Sequence, residues 1–138
     1  MMSSTPRLSP IEVVAYAPGA CNIGPAEIAR RMKSGHIGLA VSVALFALLL
    51  VVAAPHWMRL ALVLTAAASA SGYIQAKLHF CAGFGSTGVY NFGPVGTVQR
   101  VIDPQARSRD RAKSLQIGLA SLVVGLVVGL GAVLLPIR

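Results

Sequence analysis

Acidic side chains are scarce in this chain: Glu12, Glu27, Asp103 and Asp110 are its only Asp and Glu residues, against twelve Lys and Arg in 138 residues. None lies in a long apolar stretch, so no acid is placed to relay protons and no charged residue marks an ion path through a bilayer. No serine, histidine and carboxylate fall into a recognisable catalytic set. Charged residues of both signs make up 12% of the chain, against about 25% in soluble domains. A transporter or membrane enzyme built from this chain alone is disfavoured on these grounds. What remains outside the apolar blocks is too short for a separate soluble catalytic domain.

Hydrophobic residues are plentiful instead, at 55%, with a mean hydropathy of +0.71, and they are gathered in blocks. His36 to Ala54, Leu60 to Leu78 and Leu115 to Ile137 are each close to the roughly 20 apolar residues that cross a hydrocarbon core. The expectation is an all-α membrane protein with three transmembrane helices. Residues 1–24 read as a cytoplasmic tail and 25–35 as a juxtamembrane amphipathic helix. A helical hairpin follows over 36–78, a Gly-rich and then basic loop over 79–114, and a third span over 115–138. The first block starts too late for a cleaved signal peptide.

The net charge of +8 is sorted by position. Arg7, Arg30, Arg31 and Lys33 precede the first block, and Arg100, Arg107, Arg109, Arg111 and Lys113 fill the long loop, whereas the other side has Arg59 and Arg138. The positive-inside rule puts the N-terminus and the loop in the cytoplasm and the C-terminus outside. Arg30, Arg31, Lys33, Arg107, Arg109, Arg111 and Lys113 are then candidate partners of lipid headgroups, and nucleic acid is not expected. Glu27 is placed to pair with Arg30 or Arg31 on one helix. Cys21 and Cys81 both fall on the reducing side, where no disulfide is expected.

Small residues recur at helical spacing in the second and third blocks: Ala61, Thr65, Ala68, Gly72 and Ala76, then Ser121, Gly125 and Gly129. Lipid tails are as apolar as leucine, so helices associate in a bilayer through close packing at such positions. Pro55-His56-Trp57 reads as a tight turn, with Trp57 at an interface.

Two patterns suggest chemistry. Gly83-Phe84-Gly85-Ser86-Thr87-Gly88 matches a dinucleotide fingerprint, but an apolar helix precedes it where the fingerprint needs a strand, and Gly93, Pro94 and Gly96 interrupt any following helix. It reads as a compact turn structure packed under the bundle by Phe84, Tyr90 and Phe92. In the hairpin, His36 and His79 are equidistant from the turn, with Cys81 close by and Cys21 in the tail. These are ligand types for a transition metal, and two facing histidines suit a haem near the cytoplasmic surface. The alternative is a purely structural set, with no cofactor. Cys81 near Lys77 is also a candidate nucleophilic thiol.

Asn22-Ile23-Gly24, Arg30-Arg31, Gly35, Gly72 and Cys81 together resemble a family of small bacterial inner-membrane helical-hairpin proteins of unknown function, sometimes fused to rhodanese domains. The resemblance covers Cys21 to Gly85. It implies a hairpin that dimerises and handles sulfur through Cys81. This chain has Cys81-Ala82 where that family commonly has Cys-Pro, and it adds a third span. The functional expectation is a non-enzymatic accessory or scaffold subunit of a membrane assembly, partnered by lipids and by other membrane subunits or itself. The competing readings are a thiol or metal protein using His36, His79 and Cys81, and a small oligomeric channel or carrier lined by Thr65, Ser69 and Ser71.

Overall fold

The computed structural model describes residues 15–137, which are mostly helical. The expected tail residues before 15, and Arg138, lie outside them. In chain order come α1 (Pro25–Val51), a 3₁₀ turn (His56–Ala61), α2 (Leu62–Leu78), α3 (Ala82–Thr87), β1 (Val89–Tyr90), β2 (Gln99–Arg100) and α4 (Pro104–Leu134). Among the described residues, three helices are long and apolar enough to cross a membrane: α1, the continuous stretch His56–Leu78, and α4, with mean hydropathies of 2.2, 1.2 and 2.5 over their most apolar windows.

The expected lead-in helix and first span are one uninterrupted α1. Pro25 occupies its first turn after Gly24, with Glu27 near the positive end of the helix dipole. Gly35 does not interrupt the helix, and a Cβ there would meet the Tyr73 ring of α2 at 2.9 Å. α1 ends where Ala53 turns to φ 49° and its N–H bonds Leu50 O, with Pro55 beyond. The second apolar helix therefore starts at His56, earlier than the expected Leu60. The basic segment after Pro104 and the third apolar block are likewise a single helix. Asp103 caps it by accepting from the N–H groups of Gln105 and Ala106, both at 3.2 Å.

Two further expectations are corrected. The Gly83–Gly88 motif is largely the short helix α3, with the Gly85 N–H bonded to Cys81 O at 2.9 Å, so that amide is spent within a helix and is not free to cradle a phosphate. The loop also holds a small antiparallel ladder, Val89 with Arg100 and Tyr90 with Gln99, which its glycines and short runs had concealed.

α2 is the central helix, packed on α1 along one side and on α4 along another. The α1 crossing is set by glycine. A Cβ on Gly72 would come within 2.5 Å of the Gly35 nitrogen, and one on Gly38 within 2.8 Å of the Ser69 Cα. Ser69 Oγ crosses the same gap to donate to Gly35 O at 2.8 Å. On the other side, Gly125 and Gly129 of α4 lie against Val63, with Ala67 beside Gly125. The buried line of α4 runs Ala106, Asp110, Ser114, Ile117, Ser121, Gly125, Gly129 and Ala132, one residue per turn throughout. On α2 the buried residues are Leu62, Ala66, Ser69, Gly72, Gln75 and Ala76. The predicted stripe meets this set only at Gly72 and Ala76. Ala61 and Ala68 are exposed and Thr65 half-buried, because α2 serves two neighbours and its contact face is turned toward Ser69.

α1 and α4 make almost no contact with one another. They splay apart over α2, leaving a lateral groove of about 580 Å³ whose walls include Val43 and Phe46, Ala66 and Ala70, and Val127 and Gly131. Large apolar residues elsewhere point outward, Leu64 and Val51 among them at 76% and 83% exposure.

Close packing at the α1–α2 crossing leaves no room for a methyl group, so Gly72→Ala is expected to destabilise the bundle by about 1–3 kcal/mol. A methyl group added at Gly118 on α4 would meet no neighbouring atom within 4 Å, and Gly118→Ala is expected to be neutral or to stabilise by up to about 1 kcal/mol. Melting of the two variants in one detergent checks the contrast.

Candidate functional site

The chain's buried polar side chains concentrate at the end of the bundle where α1 and α4 begin and α2 ends. Asn22 is fully buried. Its side-chain amide pairs with the backbone of Cys81 as another strand would: Nδ2 donates to Cys81 O at 3.0 Å, and Cys81 N–H donates to Oδ1 at 2.6 Å. The Asn22 backbone continues the pattern, its N–H donating to His79 O and its carbonyl accepting from Asn91 N–H. Gly24 N–H then donates to Asn91 O at 2.8 Å, giving a parallel bridge between Ile23 and Asn91. A Cβ on Gly24 would strike the Phe92 backbone at 2.9 Å, so only glycine permits this pairing.

Asn91 is the second hub. Its Oδ1 accepts from Gly93 N–H and the Thr97 hydroxyl, and its Nδ2 donates to Pro94 O at 2.9 Å and Glu27 Oε1 at 3.3 Å. Glu27 is completely buried; its Oε2 lies 3.7 Å from Arg30 and 3.8 Å from Arg31 without a hydrogen bond. Arg31 in turn sits over the Phe84 ring, 5.9 Å from its centroid. Gln75 Oε1 accepts from Ala82 N–H at 2.9 Å, tying the end of α2 to the start of α3.

A second knot holds the N-terminal segment to α4. Buried Asp110 accepts from the Tyr16 hydroxyl at 2.7 Å and from Gly19 N–H at 2.8 Å. Tyr16 stacks on Tyr90 at 4.8 Å. Burial, and then the hydrogen bond to Asp110 and its negative charge, push the Tyr16 phenol well above its ordinary range.

At the opposite end, Arg59 is 2% exposed. Its Nη1 donates to Ala132 O at 3.0 Å and Leu135 O at 2.9 Å, and its Nη2 to Ile137 O at 2.5 Å. The last carbonyls of a helix have no partner within it and carry the negative end of its dipole. A forked cation answers both needs, and His56 adds a contact to Val133 O at 3.3 Å. Sequence reading placed Arg59 among the few charges on the far side; the structure uses it to cap α4.

The predicted ligand set does not come together. His36 Nδ1 is bonded to the Tyr73 hydroxyl at 2.6 Å. His79 closes α2 in a left-handed conformation, φ 53°, with an exposed side chain. Cys81 is 2% exposed with its backbone held by Asn22. The Cys21 thiol lies near Ile23 O at 3.8 Å, and burial raises its pKa. Among the described residues no three His, Cys, Asp or Glu side chains are grouped to hold a metal. Of the candidate headgroup residues, Arg30, Lys33, Arg109 and Arg111 are exposed; Arg31 and Lys113 are half-buried, and Arg107 is turned inward to donate to Val101 O at 2.7 Å.

Asn22 and Asn91 had a shared signal. Asn22-Ile23-Gly24-Pro25 and Asn91-Phe92-Gly93-Pro94 repeat one N-x-G-P pattern, and the two copies are what pair in the parallel bridge. Of the positions on which the family resemblance rests, Asn22, Ile23, Gly24, Gly35, Gly72 and Cys81 are buried here. No family model, curated protein or solved structure matches this chain.

Two outcomes follow from these knots. Arg59→Met is expected to cost about 2–3 kcal/mol and to speed hydrogen exchange in the last turn of α4; unchanged exchange there would refute the capping role. For Tyr16, a raised folded pKa means that the neutral phenol is the bound form. Its stabilisation is complete below the ordinary tyrosine value of about 10 and is lost as pH rises beyond it. Melting at stepped alkaline pH should show a loss that is smaller in Tyr16→Phe.

Proposed function

We propose that this chain is a three-span protein of a bacterial inner membrane that serves as a non-catalytic accessory or scaffold subunit of a membrane assembly. The N-terminus and the 79–114 loop are cytoplasmic and the C-terminus is outside. Membrane insertion is supported by the outward-facing apolar side chains of α1, α2 and α4, an arrangement unfavourable in water and favourable in lipid. The orientation is supported by the cations around the α1 and α4 starts, where anionic headgroups of the cytoplasmic leaflet would meet them.

The observation that carries the scaffold reading is the commitment of the polar groups. Asn22, Asn91, Glu27, Asp110 and Arg59, the polar side chains buried at the two ends of the bundle, each hydrogen-bond to another segment there and fasten the ends of the helices. The result is a bundle with a braced, basic cap. The glycines of α2 and α4 that read as partner-seeking are used within the chain. On α1, however, Ala40, Ala44 and Ala47 are exposed at helical spacing, a face narrow enough for another helix to approach closely.

Light scattering in mild detergent, with the bound detergent subtracted, should give a protein mass that is a multiple of the 14.3 kDa chain, and Ala44→Phe should shift it toward monomer without lowering the melting temperature. A stable monomer in every mild detergent contradicts the assembly. Labelling of single cysteines introduced at exposed Lys33 and Trp57, in a background lacking the native cysteines, tests the orientation separately.

A further inference from the structure

The lateral groove between α1 and α4 is apolar along its length, and its polar neighbours are already satisfied. Ser42 donates to Gly38 O and Ser69 to Gly35 O, both within the helices they serve or cross. Its volume of about 580 Å³ is within the range of small-ligand sites, roughly 300–1,000 Å³. At about 30 Å³ for a group the size of a water molecule, it accommodates about one lipid chain.

The two mouths of the groove differ in charge. At the outer one, the Arg59 Nη atoms donate to three carbonyls of the α4 end, and its guanidinium lies 5.9 Å from the ring centroid of Phe46 in the groove wall. At the cytoplasmic one, Tyr73 lines the groove and bonds exposed His36, while exposed Lys77 stands one helical turn beyond Tyr73 on α2. The contact of Nδ1 with the Tyr73 hydroxyl leaves Nε2 of the exposed His36 ring without a partner among the described residues. An apolar slot is thus headed by an imidazole and an ammonium.

We propose that this groove binds an anionic phospholipid of the cytoplasmic leaflet, its acyl chain along Val43, Ala66, Ala70 and Val127 and its phosphate at His36 and Lys77. Charge complementarity selects the lipid: Lys77, one turn beyond the groove-lining Tyr73, is an exposed cation, whereas the Nη atoms of Arg59 at the other end are taken by the carbonyls of α4, and no charged residue lines the slot itself. From Tyr73 to Leu62 the groove follows α2 for about 16 Å at 1.5 Å per residue, a length that suits an extended acyl chain. The proposal rests on the membrane-spanning reading above but not on the assembly reading.

The test uses the full chain in nanodiscs of equal phosphatidylglycerol and phosphatidylcholine, with retained lipid identified by native mass spectrometry. Both leaflets then carry anionic lipid, so the result is independent of orientation, and failure of the chain to enter the discs at all identifies failure of the membrane reading instead. The expected result is a retained phosphatidylglycerol with about a fivefold preference, the effect of one cation near the surface. Lys77→Gln should bring the preference to parity, Tyr73→Phe should reduce it, and Val127→Trp should reduce retention of both lipids. Lys77 is exposed at a helix end, so its variant carries the test if Val127→Trp fails to fold. Equal retention of the two lipids by the unaltered chain, or a preference untouched by Lys77→Gln, overturns the proposal. So does a Val127→Cys chain that cross-links to a second copy and retains no lipid, which would make the groove a protein interface.

Discussion

The cap depends on a side chain that behaves as backbone. Once Asn22 is buried, its amide must find a donor and an acceptor, because an unpartnered polar group away from water costs about as much as several good contacts supply. The exposed edge of the chain at Cys81 offers one of each, and the match brings the N-terminal segment across the end of α2. The rest of the end cap follows from that placement. Ile23 is brought beside Asn91, Asn91 reaches Glu27 on α1, and the segment before Asn22 lies where Tyr16 and Gly19 meet Asp110 on α4. One short peptide therefore touches all three long helices or the loops that join them. The hydrogen bonds are mutually supporting, since each fixes the geometry on which the next relies.

Within the apolar part of the molecule a different constraint governs. Polar cross-links are few there, and cohesion comes from the nearness of backbones. Gly35, Gly38 and Gly72 bring α1 onto α2, while Gly125 and Gly129 bring α4 onto α2. This consumes the small faces in intramolecular contacts and leaves α1 and α4 apart. The groove is a consequence: two flanking helices fit closely against a central one only on faces that do not meet each other. Arg59 completes the design at the far end, where a C-terminus in an apolar setting would otherwise leave its carbonyls unanswered.

The helices were legible in the sequence because they are statements about composition and period. Uncharged blocks of the right length appear without any knowledge of contacts, as did the Glu27 pairing with Arg30 and Arg31. The alignment of Ser121, Gly125 and Gly129 is visible for the same reason, whereas α2 misled because a helix with two partners has no single small-residue line, and Ala61 and Ala68 were chosen over Ala66 and Ser69. The GxGxxG pattern misled in the other direction, since glycine is compatible with a short helix when Phe80 and Ser114 crowd Gly85. The polar knots were the least legible. Asn22 and Cys81 are 59 residues apart, Glu27 and Asn91 are 64, and Gly19 and Asp110 are 91, and no local preference specifies such pairings. The repeated N-x-G-P was the one trace of them along the chain. His36 and His79 were placed at equal depth by counting from the turn, but counting is blind to Tyr73, which takes His36 for itself.

The most direct test of this account is the rate at which the Cys81 thiol is alkylated in a Cys21→Ser chain, with and without Asn22→Ala. If the Asn22 amide holds the cap closed over Cys81, its loss removes hydrogen bonds worth about 1.5–3 kcal/mol in all, and alkylation through local opening accelerates roughly tenfold or more at unchanged helix content. An alkylation rate that is the same in both chains would contradict it.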